Sequence, residues 1–402
     1  MIHITYSIKM KKYALVIASI SLVCLMCRPV FARSLALNGD LPRQSPETGA
    51  IPVHYAEETE LVAVVCHLAG ISGYVFNEED GVLPDYLADV DSTFARFADH
   101  KAVKFASSKM FRKGFAWDMP MAFALRLRLN DGRIGYNDGL EADFEDYYSR
   151  LSRGDEKKFI AMLEDFYRDA SFRDFFRNHA SLYRECEEAM QKVVDNLDIA
   201  WYDSFFGPSD GGEFRVYLGL LNGPGNYAVH QKLTAGGEVV NAVMGCCDRD
   251  SAGRIYYGES YTLPVLIHEF NHSYCNPLND ECWESIAAQA NAIFQRDPSF
   301  YASIAYGSPQ LMMNETFVEA SMIRYLMSHP IDLSGTRFEN MQELIDTLID
   351  IDERKKKFVL VRPVIEALGR RESAREQFPT MRDFLPEYVA AVNACTPPLS
   401  NP

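Results

Sequence analysis

His268, Glu269 and His272 are the residues whose types and spacing could do chemistry together, in the stretch Tyr261 to Pro277, YTLPVLIHEFNHSYCNP. On a helix, histidines four residues apart stand on one face, a turn above one another, so both imidazoles can reach one metal ion. Glu269 follows the first histidine on the flank of that face, where its carboxylate can take a proton from a metal-activated water. Such a triplet arises by chance in roughly one chain in a hundred of this length. The plainer alternative is a buried helix with two hydrogen-bonded histidines. The apolar run Leu263 to Ile267, Pro264 in a first turn and a helix stop at Asn276-Pro277 frame the triplet as a unit and favour zinc.

A catalytic zinc keeps three protein ligands and one open position, so a third ligand must come from elsewhere. The continuation His-x-x-Gly-x-x-His fails, because Cys275 holds the glycine position and Leu278 the last histidine position. His54, His67, His100, His179, His230 and His329 lie in no metal-like spacing. The segment Met313 to Tyr325 (MNETFVEASMIRY) carries Glu315 and Glu319 on one face of an otherwise apolar helix. Two carboxylates facing inward need a cation or hydrogen-bond donors. Glu315 is read as the ligand, and Glu319 as the group that orients His268 or His272 through its free ring N–H. On spacing alone the two roles can be exchanged, a wet acidic edge is the plainer reading of both, and Asp280 and Glu284 are weaker candidates.

HEFNH with a downstream Asn-Glu-x-x-x-Glu resembles the gluzincin branch of zinc metallopeptidases. From about Trp201 to Arg324 the chain also resembles a family of exported bacterial proteins catalogued only as a domain of unknown function. The residues that carry this likeness are Asn222-Gly223, Asn226-Tyr227, the HEFNHSYCNP block, Tyr306-Gly307, Asn314-Glu315 and Ala320. The resemblance implies that His268, His272 and Glu315 bind zinc and that Glu269 is the general base of peptide-bond hydrolysis. A donor must also meet the developing oxyanion. Tyr306, between the ligand segments, comes first for that role, ahead of Tyr256, Tyr257 and His230.

The elements that must position these groups follow from periodicity. Leu61, Val64, Val65 and Leu68 recur at helical spacing, with Gly70 or Gly73 closing the helix. Further helices are expected over about 92–111, over Trp117 to Leu129, and over roughly 155–169 and 179–197. Phe214 to Leu221, Tyr227 to Leu233 and Val239 to Cys247 are β-rich and separated by Asn222-Gly223-Pro224-Gly225 and Ala235-Gly236-Gly237. Helices resume through Met341 to Ile351 and Met381 to Val392, and the run Arg354 to Lys357 reads as a solvated helix face. The expected fold class is α+β, mostly helical: a helical N-terminal half over 51–198, then 199–395 with a small, mainly antiparallel sheet next to a zincin-type metal-binding helix pair.

The first 32 residues read as an export signal. Lys9, Lys11 and Lys12 precede an apolar run from Tyr13 to Cys27, and Val30-Phe31-Ala32 offers small residues where a signal peptidase cuts. That run is short for a membrane span. A lipid anchor at Cys24 or Cys27 is the minor alternative, since Val23 and Met26 are poor residues before such a cysteine. Residues 33–50 carry Pro, Gly and Ser without periodicity and read as a linker, and the tail from Thr396 as disordered. The net charge of -16 repels nucleic acid and anionic lipid. The peptide or protein substrate expected as partner follows from the metallopeptidase resemblance. The alternatives are a zinc amidase acting on a non-protein amide and a non-catalytic surface protein with a structural or degenerate metal site. Seven cysteines follow Ala32, an odd number at irregular spacing, which is no disulfide scaffold. Cys275 and Cys282 are close enough to pair, and equally fit as two small buried residues.

Overall fold

The structure, a computed structural model, describes residues 51–395 apart from 77–81, 111–113, 142–149, 209–211 and positions 224, 246, 251, 305 and 335. The expected export signal over 1–32, the linker 33–50, Cys246 and the tail from Thr396 lie outside the described residues. The fold is α+β and mostly helical. No helix among the described residues is long and apolar enough to cross a membrane. The described chain forms two compact units, residues 51–196 with 212–257, and residues 197–208 with 258–395.

In the first unit, β1 (Val53–His54) leads into α1 (Glu57–Leu68), whose residues from Thr59 to Cys66 are all buried. Gly70, at φ +66°, ends α1 with the left-handed residue that a side chain would strain. Around it stand α2 (Pro84–Phe94), α3 (Lys101–Phe105), α4 (Met119–Ala124), α5 (Arg153–Asp169), α6 (Phe172–Asn178) and α7 (Ala180–Val194). The helix predicted over 92–111 is thus two pieces, because α2 already starts at Pro84 and a tight turn at Ala95–Phe97 separates it from α3. The helix predicted over Trp117 to Leu129 stops at Ala124. There β2 (Leu127–Asn130) pairs antiparallel with β3 (Arg133–Tyr136) across a two-residue turn. Asp131 at φ +48° and Gly132 at φ +79° give the doubly left-handed turn whose twist matches a hairpin.

The three β-rich segments do form one sheet. β4 (Gly212–Leu218), β5 (Tyr227–Lys232) and β6 (Glu238–Met244) join β1 in the order β1-β4-β6-β5. β5 and β6 are the expected antiparallel pair, turned by Gly236 and Gly237, both at positive φ. β4 instead runs parallel to β6, from Gly212 beside Glu238 to Leu218 beside Met244, and parallel to β1. Burial explains the order. β6 is buried from Val239 through Met244, as a central strand covered on both faces must be, whereas β5 alternates and sits at the edge. Asn241 is tolerated inside because its Nδ2 donates to Val229 O at 3.1 Å and Gln231 Oε1 at 3.0 Å. A short ribbon of β7 (Asp248–Arg249) and β8 (Ile255–Tyr256) follows.

Glu60 on α1 is the costly group of this unit, fully buried with Oε2 lacking a hydrogen-bond partner among the described residues. Tyr86 donates its hydroxyl to Oε1, and Tyr183 stands 3.1 Å and Tyr55 3.4 Å from the Tyr86 oxygen. Burial pushes the Glu60 carboxyl up to about 7, against the hydrogen bonds of Tyr55 and Tyr86 and the charge of His179. A raised carboxyl favours folding fully below its unfolded pKa, and that contribution is lost as pH rises through the folded one. Glu60→Gln, which cannot ionise, is therefore expected to gain about 3 kcal/mol on the parent between about pH 4 and about pH 8 in denaturant titrations. A difference that does not change with pH would count against this account.

The second unit opens with α8 (Ala200–Phe206) and is organised by α9 (Glu259–Phe294), 36 residues that carry the His-Glu-x-x-His triplet. At 1.5 Å per residue α9 is roughly 54 Å long. The stop predicted at Asn276-Pro277 does not occur, and Pro264 lies one turn further into the helix than a first-turn proline. An interior proline removes one backbone hydrogen bond and costs about 3 kcal/mol, so something must offset it. Two buried asparagines bind α9 to α11 (Pro309–Ser328) on either side of Pro277. Asn271 Nδ2 donates to Val318 O at 3.2 Å, and Asn279 Nδ2 to Met313 O at 3.0 Å. Tyr388 then donates to Asn279 Oδ1 at 2.7 Å. Tertiary pairing carries the helix through the proline.

Before α11 comes α10 (Pro298–Ser303), and after it α12 (Met341–Asp350), α13 (Val361–Ser373) and α14 (Met381–Ala394). α11 starts where Ser308 accepts from Leu311 N at 3.2 Å with Pro309 in the first helical position. It is buried without a break from Met312 to Ile323, because α9 and α13 both pack on it. Cys275 and Cys282 are separate buried thiols, Cys275 facing Ser321 Oγ at 3.5 Å.

Candidate metal centre

Helix pairing turns two sequence patterns into one site. His268 and His272 sit a turn apart on α9, and Glu315 and Glu319 a turn apart on α11, all buried. His268, His272 and Glu315 form a cluster that could hold a metal ion, with one ligand atom from each lying within 4.8 Å of the others. Nε2 of His268 and Nε2 of His272 are 3.3 Å apart. The Glu315 carboxylate stands 3.5 Å from the first and 3.7 Å from the second. A tetrahedral zinc with bonds of about 2.0–2.2 Å sets its ligand atoms about 3.3–3.6 Å apart. The cluster has that scale.

The outer ring nitrogens each face an oxygen. Nδ1 of His268 stands 3.4 Å from Glu319 Oε1, and Nδ1 of His272 3.3 Å from Asn276 Oδ1. A carboxylate or amide oxygen there calls for N–H on Nδ1, which turns the Nε2 lone pairs inward and toward each other. Two facing lone pairs beside a carboxylate want a cation between them. Glu315 Oε2 points the same way: it is buried and receives no hydrogen bond among the described residues. The residues present therefore fit a divalent metal.

Without a metal the cluster recruits protons. Burial would lower His268, but the charges of Glu319, Glu315 and Glu269 outweigh it and raise the ring to about 9. Burial pushes Glu315 up to about 8, helped by Glu319 and Glu269 and opposed by His268 and Lys356. Glu319 goes the other way: burial opposes it, but Lys356 and His268 hold its carboxyl well below the usual range. Lys356 Nζ donates to Glu319 Oε1 at 2.5 Å and reaches Asp352 Oδ1 at 2.7 Å.

Each residue singled out in the sequence has a definite place. His268, His272 and Glu315 come together, and Glu319 stands behind His268. Glu269, one residue on from His268, is buried and is felt electrostatically by both His268 and Glu315. Tyr306 is buried with its ring packed on Phe358 at 5.2 Å, a core environment. His230 lies on β5 with Nδ1 3.0 Å from Glu238 Oε1. Tyr257 is buried and Tyr256 exposed. Asp280 holds Gln310 at 2.6 Å, and Glu284 is exposed.

Three residues carry more than their spacing suggests. Asn276 is four residues past His272, so helical spacing points to it once the helix continues through Pro277. Asp352 and Lys356 are four apart, an ordinary exposed pair by pattern. The run Arg354 to Lys357, predicted as a solvated face, breaks its pattern at Lys356, which is buried while Arg354 and Lys355 face water. The carboxylates of Glu319 and Asp352 draw it in.

Comparison with known proteins bears on the chain as a whole. Neither the curated proteins nor the solved structures contain a match. A family model described as "Domain of unknown function (DUF4932)" matches residues 51–391, a span that reaches through both units and includes His268, His272 and Glu315. The chain with the His268, His272 and Glu315 cluster belongs to this DUF4932 family.

Proposed function

We propose that this chain is an exported zinc-dependent metallopeptidase of the gluzincin-like kind, acting on a peptide or protein substrate. The observation that carries the reading is the convergence of two histidine Nε2 atoms and one carboxylate at 3.3–3.7 Å, with Glu269 next in sequence to a ligand. Three ligands leave a fourth position for substrate or water, and a purely structural zinc needs no neighbouring base. The basic and apolar segments before Ala32 support export.

Zinc bound here would supply Lewis-acid polarisation of a carbonyl and lower the pKa of water toward about 7. The chain's own residues do the rest. His268 and His272 present Nε2, with Nδ1 held by Glu319 and Asn276. Glu269 accepts a proton from the attacking water at its carboxylate and returns it to the leaving amine. Tyr306 is the proposed donor to the oxyanion on its place between the ligand segments in sequence alone. Because its ring is buried against Phe358, Tyr306→Phe with full turnover would remove it from that role.

The deciding experiment is metal analysis of the purified chain by mass spectrometry, followed by a peptide-library screen with and without a chelator. One zinc per chain and chelator-sensitive cleavage are expected. A chain that takes up no zinc when zinc is offered would end the peptidase reading.

A further inference from the structure

A row of buried charge leads away from the metal centre and ends on no ligand. Asp352, Lys356 and Glu319 are all buried, linked at 2.7 Å and 2.5 Å, and the row meets His268 Nδ1 at 3.4 Å. The chain bends specially to build it. After α12 the backbone widens into a π turn over Ile351–Lys355, where Lys356 N donates five residues back to Ile351 O at 3.1 Å. Phe358 N then donates to Asp352 O at 2.9 Å, with Lys357 between them at φ +58°. The site is tight. The void beside it, lined by Pro264, Met322, Leu348 and Ile351 together with the charged row, has a volume of ≈ 10 Å³, no more than one water needs. Phe358 covers Nζ with its ring centroid at 5.8 Å.

Buried charges of this kind are poor stabilisers, since apolar residues of similar volume usually serve as well or better. What an ion pair does supply is orientation. The geometry points to Lys356 and Asp352 as positioning residues of the metal centre. Lys356 clamps Glu319 so that Oε1 faces Nδ1 of His268, and Asp352 fixes Lys356 from the far side. With Glu319 held, the His268 ring cannot turn about its own axis, and Nε2 stays aimed at the metal position. This rests on the metal reading above.

The test compares the parent chain with Lys356→Met, Lys356→Arg and the double variant Asp352→Leu/Lys356→Met. The double variant removes Asp352 and Lys356 together, so that Glu319 loses its lysine without a second buried carboxylate being left beside it. Zinc affinity is read by chelator competition, the site geometry by the visible spectrum of the cobalt-loaded protein, and folding by circular dichroism. Lys356→Met and the double variant are expected to bind zinc about 10–100-fold more weakly, with an altered cobalt spectrum, and Lys356→Arg to recover part of both. A folded double variant with the parent's zinc affinity and cobalt spectrum would overturn the positioning role alone. A double variant that does not fold would assign the pair to the core and overturn it too. A parent chain that takes up neither metal would overturn the metal reading and this role with it.

Discussion

Glu269→Gln is expected to keep one zinc per chain and to lose peptide hydrolysis by about 10²–10⁴-fold in kcat/KM, the usual contribution of a positioned general base. In barrier terms that is about 3–5 kcal/mol. The substitution changes little else. Gln has the size of Glu, and Glu269 lies in the buried stretch Tyr261–His272 of α9, so the packing that carries His268 and His272 is kept. The amide still donates and accepts hydrogen bonds, but it cannot take a proton from water. Metal content and turnover measured on the same preparation separate the two roles. A variant with zinc and full activity would remove Glu269 from the chemistry, and one without zinc would make it part of the metal's support.

The second large effect is on the metal itself. His268→Ala and Glu315→Ala are each expected to weaken zinc binding on the order of 10²–10³-fold, one ligand's share of the ~10–16 kcal/mol a protein zinc site supplies. Zinc also stabilises whatever state binds it. At a free concentration about 1,000 times its Kd it adds about 4 kcal/mol to the folded chain. Chelation should then lower Tm by roughly 8–16 °C for a cooperative unit of about 150–250 residues. The same chelator should lower the Tm of His268→Ala by only about 1–6 °C, because a site weakened 10²–10³-fold retains about 0.4–1.4 kcal/mol at that zinc concentration. Zinc lost with His268→Ala but kept with Glu315→Ala would move the third ligand to Glu319, whose carboxylate now faces the other nitrogen of that ring.

The sequence by itself determined which candidate residues share a face, because spacing is a property of a single helix. Four residues bring His268 over His272, and Glu315 over Glu319, whatever surrounds them. The mostly helical α+β class was legible for the same reason, since periodicity is local. The pairing of β5 with β6 across Gly236-Gly237 was legible too, as a short turn leaves two strands one way to meet. The hairpin across Asp131-Gly132 carried the same kind of signal and was hidden by the helical pattern around it.

Tertiary structure decided what depends on partners distant in sequence. Pro277 is a stop signal by every local rule, and α9 passes it because Asn271 and Asn279 bind α9 to α11 on both sides. β6 is central because it is buried on both faces, and β4 pairs with it in parallel, neither of which a single segment reveals. Lys356 belongs by pattern with its three basic neighbours in water. It is inside because two carboxylates, four and 37 residues away in the chain, meet it there at 2.7 Å and 2.5 Å. Local spacing sets which side chains share a face. Burial and charge balance, which sum over the whole unit, set which of those faces turn inward and which nitrogen of His268 faces His272 and Glu315.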